Sequence, residues 1–134
     1  MEAETGRAAL RTWGKEDYPT LVTWWEGHGW PAVPERILPP LGVIFGDQAA
    51  GWLYMDNGGT GVAMMEWLVT NPALSPLKAA RALKTVVGFL KSEAKRMDYP
   101  IILTTCRQES LMRFLEREGF HATDRGMIHL LGVF

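Results

Sequence analysis

The spacing of apolar and polar positions changes several times along this chain, and each change predicts an element. Residues 7–13 suit a short first strand ended by Gly14, after which Tyr18, Leu21, Val22, Trp24 and Trp25 recur at offsets of three and four. That recurrence puts them on one stripe of a helix over residues 15–29. The next tract, residues 30–40, holds four prolines, Pro31, Pro34, Pro39 and Pro40. Each fixes φ and removes a backbone donor, so the tract is a connection with room for one helical turn. Two apolar runs follow at 41–45 and 49–55, separated by Gly46, Asp47 and Gln48, which is the signal of a β-hairpin. Asp56, Asn57, Gly58, Gly59 and Gly61 tolerate positive φ ahead of a third run, 62–70, which Asn71 and Pro72 stop. Three strands in succession predict an antiparallel meander.

Ser75 and Pro76 open the clearest helix, with serine at the N-cap and proline at the first helical position, where its missing N–H costs nothing. The helix runs over residues 77–97, with Leu83, Val86, Val87, Leu90, Ala94 and Met97 as its core stripe and Lys84, Lys91, Lys95 and Arg96 largely off it. Residues 101–105 read as a short buried strand. Residues 108–118 read as a second helix, with Leu111, Met112, Phe114 and Leu115 apolar and Gly119 as its stop. The tail, residues 120–122 and 127–134 about a turn at Asp124, Arg125 and Gly126, reads as a strand pair. The resulting order of elements is a mixed α/β layer, in which a helical crossover joins two parallel neighbouring strands.

Composition narrows the class. A chain of 134 residues, 47% hydrophobic and 22% charged, is one domain over residues 1–134 and too apolar for global disorder. Fourteen Lys+Arg against fifteen Asp+Glu leave a formal net charge of −1, so the field that drives phosphate-backbone binding is missing and nucleic acid is not expected as a partner. The single cysteine, Cys106, excludes an internal disulfide and points to a reducing compartment, a cytoplasm. No stretch has the ~20 apolar residues of a bilayer span, and the amino terminus has no apolar signal core.

Three places carry candidate chemistry. The helix start at Ser75 offers unsatisfied N–H groups and a positive dipole end to an anion, with Lys78 adding charge and Ala79 and Ala80 permitting close approach. Glu66 is an acid inside an apolar strand, where lost hydration raises a carboxyl pKa toward the range of a general base. Cys106 stands between a strand and a helix, where amides can activate a thiol, although inert packing is the commoner role there. His28, His121 and His129 are scattered, so no metal site is expected. The chain also lacks the nucleophile-elbow, phosphate-loop and dinucleotide fingerprints. Trp24, Trp25 and Trp30 read first as core packing.

The order of elements, together with Glu66-Trp67-Leu68-Val69-Thr70-Asn71-Pro72 and Glu116-Arg117-Glu118-Gly119-Phe120, resembles a small acetyltransferase of the GCN5-related (GNAT) superfamily from about residue 7 to the end. Its compactness and altered loop also resemble phage-encoded members. The resemblance implies an α/β (α+β) fold with a mixed, mostly antiparallel sheet of six to seven strands and helices on both faces. It further implies acetyl-CoA as acyl donor and an amine acceptor, either a small amine or a protein amino group. The family's cofactor loop, [RQ]-x-x-G-x-[GA], matches Ser75-Pro76-Leu77-Lys78-Ala79-Ala80, where only Ala80 obeys the pattern. By the same resemblance the pantetheine arm lies between the fourth and fifth strands against the backbone of Leu68 and Thr70, with Gln108 where the family often has Asn. Glu66 falls where members place a general base. Leu115 replaces the tyrosine that protonates the leaving thiolate, and Tyr54 is the substitute on the neighbouring strand.

Two readings of function follow. The first is an acetyl-CoA-dependent N-acetyltransferase whose acceptor groove lies between the first helix region and the tail, with Glu16, Asp17 and Glu26 suited to a cationic amine. The second is a GNAT-fold protein that has lost transfer chemistry and binds another protein, a host protein for example, through Trp24, Trp25 and Trp30. The resemblance also allows a homodimer.

Overall fold

A computed structural model describes residues 9–134. Strand β1 (Leu10–Thr12) is the inner part of the strand expected at 7–13, and positions 7 and 8 of that expectation lie outside the described residues. A single 3-10 turn, Lys15–Asp17, then leads into helix α1 (Tyr18–Gly27). Asp17 fixes this entry. Its carboxylate accepts the Gly14 amide at 2.8 Å and the Arg11 guanidinium at 2.7 and 3.0 Å, which holds the carboxyl below the usual aspartate range. The proline tract spends its one turn at Glu35–Ile37. Trp13 Nε1 and the Tyr18 hydroxyl donate to the carbonyls of Pro39 and Val33, fastening that connection where prolines cannot form a ladder.

Strands β2 (Gly42–Phe45), β3 (Ala49–Met55) and β4 (Val62–Thr70) form the expected antiparallel meander. Helix α2 (Pro76–Arg96) crosses over to β5 (Ile101–Thr104), which pairs parallel to β4, and α3 (Glu109–Arg117) follows. The sheet order is β1-β2-β3-β4-β5. Side-chain alternation gives each face its own core. Leu21, Trp24 and Trp25 of α1 pack on Ile44, Ala50, Trp52 and Val69, while Val86, Val87 and Leu90 of α2 and Phe114 and Leu115 of α3 pack on Val43, Leu53, Met65 and Leu68. Each fully buried aliphatic side chain contributes about 1.5–3 kcal/mol relative to exposure. Lys84 and Lys91 of α2 both reach Glu118, one at its carboxylate and one at its carbonyl, and tie α3 in place.

Helices thus flank both faces, but the sheet has five strands where six to seven were expected. The missing pair is the tail: among the described residues, 121–134 make no backbone–backbone hydrogen bond and no strand, because an alternating pattern becomes a strand only where a partner ladder is in reach. Gly126, at φ +73, does make the expected turn. Strand β5 is an edge strand and not the buried one expected, since Ile101 and Leu103 have no layer covering them. Met97, assigned to the core stripe, lies exposed at the end of α2, and Ala82 takes a core place instead. Trp24 and Trp25 are less than 5% exposed, which confirms core packing and removes them from any docking surface. No helix among the described residues is long and apolar enough to cross a membrane.

Candidate active site

The strand that carries Glu66 is irregular at one point. Ala50 pairs with Val69 and Trp52 with Glu66, so two steps along β3 (50 to 52) face three along β4 (66 to 69), which is a β-bulge. Trp67 absorbs the extra residue at φ 64, a left-handed conformation that costs a bulky L-residue energy and is kept only where the surroundings enforce it. The parallel register with β5 ends at Met65 and Thr104, where the Thr104 hydroxyl donates to the Met65 carbonyl at 2.6 Å. From Glu66 onward β4 has no strand partner on its β5 side. An opening between the two strands therefore begins at the bulge.

Glu66 stands at the mouth of that opening. As the cross-strand partner of buried Trp52 it points to the α1 side, and Tyr54, two residues further along β3, shares that face. Burial pushes the Glu66 carboxyl above the usual glutamate range; the Thr105 hydroxyl, donating to Oε1 at 2.7 Å, and His129 pull the other way. The Tyr54 hydroxyl donates to the Ile37 carbonyl at 2.6 Å and accepts from Trp67 Nε1 at 2.8 Å. Burial, reinforced by the Glu66 charge and opposed by the Trp67 donor, raises its pKa, so the phenol stays protonated at neutral pH. Glu66, Tyr54 and Trp67 are thus brought together at one point.

The remaining expected residues lie on β4 past the bulge and at the starts of α2 and α3. Leu68 is buried just past the bulge, and the Thr70 carbonyl accepts from His28 Nε2 at 2.8 Å. At the start of α2 the Ser75 hydroxyl accepts the Lys78 amide at 3.3 Å, Pro76 has no N–H, and the Ala79 amide bonds the Ser75 carbonyl. Among the described residues the Leu77 amide is left as the free donor of this turn, beside the exposed Lys78 side chain, with Ala79 and Ala80 half-buried behind it. Gln108 caps α3 from the β5 side without bonding its side chain to the helix end. The α2 start can meet an anion, with fewer free amides than a glycine-rich loop supplies.

Several residues of the site escaped sequence reasoning. Thr105 and His129 act on Glu66 from positions remote in the chain, and nothing local marks them. Arg107 lies over Trp30, 5.8 Å from its ring centre, and Trp30 stacks on His28 at 4.6 Å, so a column bridges the end of α1 and the β5–α3 loop. Cys106 is no activated nucleophile: burial and Glu109 push its thiol up. Asp17 is committed to Arg11 and cannot meet an acceptor, whereas Glu16 and Glu26 are exposed. A groove does run between the proline connection and the tail, lined by Pro34, Arg36, Ile37, Leu131, Gly132 and Val133. Among the described residues no cluster of three or more His, Cys, Asp or Glu could hold a metal ion.

No protein-family model and no curated protein matches the sequence. Solved structures do match the fold. An acetyltransferase of Trypanosoma brucei superposes with TM-score 0.66 at 19% identity over 92% of this chain and 99% of that one. A GNAT-family acetyltransferase of Streptococcus pneumoniae gives TM-score 0.60 at 14% identity over 92% and 98%. A transcriptional regulator of Bacillus halodurans gives 0.68 at 15% over 93% and 100%. With a mixed five-stranded sheet, a bulged fourth strand, and a helical crossover into a parallel fifth, the chain has the fold of the GNAT superfamily.

Proposed function

We propose that this chain is an acetyl-CoA-dependent N-acetyltransferase in which Glu66 is the general base. The carrying observation is a half-buried carboxylate, its pKa raised by burial, at the point where β4 parts from β5. When bound, acetyl-CoA supplies the thioester carbonyl that an amine attacks. The opening would receive its arm along the backbone at Leu68 and Thr70, with Gln108 opposite. The α2 start would meet its diphosphate through the Leu77 amide, the Ser75 hydroxyl and Lys78, with Ala79 and Ala80 leaving room. Glu66 removes the proton of an ammonium acceptor, and Thr105 holds the carboxylate in place for that transfer. Tyr54 is the acid candidate for the departing thiolate; its proton would have to leave the Ile37 carbonyl. Leu115 is buried against α2 and has no proton to give.

The acceptor groove proposed is the one between the proline connection and the tail, for a small amine or a protein amino group, in a reducing cytoplasm. Binding without transfer is the contrasting reading, and two of the three tryptophans it relied on are buried.

Thermal unfolding with acetyl-CoA separates the two. Ligand at a hundred times its Kd adds about 2.7 kcal/mol and raises the midpoint of a domain this size by several degrees. Thiol release with a panel of amines then reads transfer. No shift at millimolar acetyl-CoA overturns the proposal.

A further inference from the structure

The groove between the proline connection and the tail is built unlike a site for a polycation. It encloses about 360 Å³, at the low end of the roughly 300–1,000 Å³ of small-ligand sites. Pro34, Ile37, Leu131, Gly132 and Val133 give it walls without a polar side-chain group, and Arg36 is its single charged lining residue. Arg36 is exposed, and among the described residues its guanidinium makes no ion pair. None of the acids expected to meet a cationic amine, Glu16, Asp17 and Glu26, lines the groove. Both walls lead toward the base. The Ile37 carbonyl accepts from the Tyr54 hydroxyl, which in turn accepts from Trp67 Nε1. On the tail side His129, two residues before Leu131, meets the Trp67 ring edge-on at 5.6 Å. Trp67 directly follows Glu66 in β4.

An apolar trough with one unpaired guanidinium selects an acceptor of matching pattern. Arginine holds a carboxylate through paired N–H donors and repels a second cation. We propose that the acceptor is a hydrophobic amino acid, its carboxylate held by Arg36, its aliphatic side chain laid on Ile37, Leu131 and Val133, and its ammonium turned toward Glu66. This rests on the transferase reading above. One ammonium proton passes to Glu66, the nitrogen bonds the acetyl carbon as the C–S bond breaks, and a second nitrogen proton leaves with the thiol. Arg36 is then the residue that sets specificity. A polyamine brings it a like charge, and a lysine side chain of a protein brings it no carboxylate.

L-Leucine and 3-methylbutylamine differ by the carboxylate alone, and glycine keeps the carboxylate without the aliphatic body. Calorimetric binding of each to the full chain with coenzyme A present, beside thiol release from acetyl-CoA, tests the assignment. Leucine is expected to bind more tightly than either, and to be acetylated with a kcat/KM about tenfold or more above theirs. Arg36→Gln should remove about fivefold or more of the advantage over 3-methylbutylamine, leaving kcat/KM for that amine unchanged, and Arg36→Lys should restore part of it. Equal binding of leucine and 3-methylbutylamine overturns the proposal. So does a leucine preference that Arg36→Gln leaves intact, or a preference for spermidine. The two readings fail separately. Leucine bound through Arg36 but never acetylated keeps the Arg36 site and removes the transferase reading, whereas acetylation of other amines with leucine unbound removes this acceptor and leaves transfer standing.

Discussion

Glu66 owes its raised pKa to burial on β4. A carboxyl raised by burial holds its proton in the folded chain at pH values where the unfolded chain has released it. Its contribution to stability therefore falls as pH rises from the ordinary glutamate range through the folded pKa, and in the proposed transfer the carboxylate form is gained over that same interval. Glu66→Gln is expected to reduce acetyl transfer by about 10²-fold or more and to abolish the carboxyl-dependent rise of rate with pH. It should leave the acetyl-CoA thermal shift intact and gain slightly in stability at neutral pH. Unchanged turnover removes Glu66 from the mechanism. Trp67 is the second test at this scale, because φ 64 suits glycine better than any L-residue. Trp67→Gly and Trp67→Ala lose the same ring contacts, so the glycine variant should be the more stable by about 1 kcal/mol, read as the higher melting temperature. Sequence placed Glu66 on an apolar strand correctly. It gave no sign of the bond from Thr105, 39 residues away, or of the bulge beside it.

Elements with their signals in local order were legible. The Asn71-Pro72 stop, the Ser75 cap and Pro76 bound β4 and α2 to within a residue, since capping and proline chemistry act over one turn. How α2 sits on the sheet is another matter, and it turns on Gly51. A Cβ there would lie 2.6 Å from Leu68 Cδ2 and 3.1 Å from both Leu90 Cδ1 and Val86 Cγ1. Glycine at that place lets the helix settle against β3 next to the bulge. Gly51→Ala is expected to cost about 1–3 kcal/mol through overpacking, read as a lower urea midpoint at unchanged m value. A neutral result would mean that Leu68 yields freely and that the helix does not set the width of the opening. The same locality explains the misplaced expectations. The run at 101–105 is apolar enough for a buried strand, and only the lack of a further neighbour makes β5 an edge.

At the scale of the molecule, β4 and β5 are contiguous in the sheet but linked in sequence through the whole of α2. A ligand spanning the opening and the α2 start would join three elements that meet only in the folded state, which is why its binding should register as stabilisation of the entire domain. Apolar periodicity by itself determined the meander, the long capped helix and the candidate acid, because each rests on contacts within a turn or along one strand. Tertiary structure decided which face Glu66 points to, that Tyr54 and Trp67 join it, and that the tail stays unpaired among the described residues. Those outcomes depend on register and on the supply of partners across the fold. Neither is encoded in the spacing of residues that are neighbours in the chain.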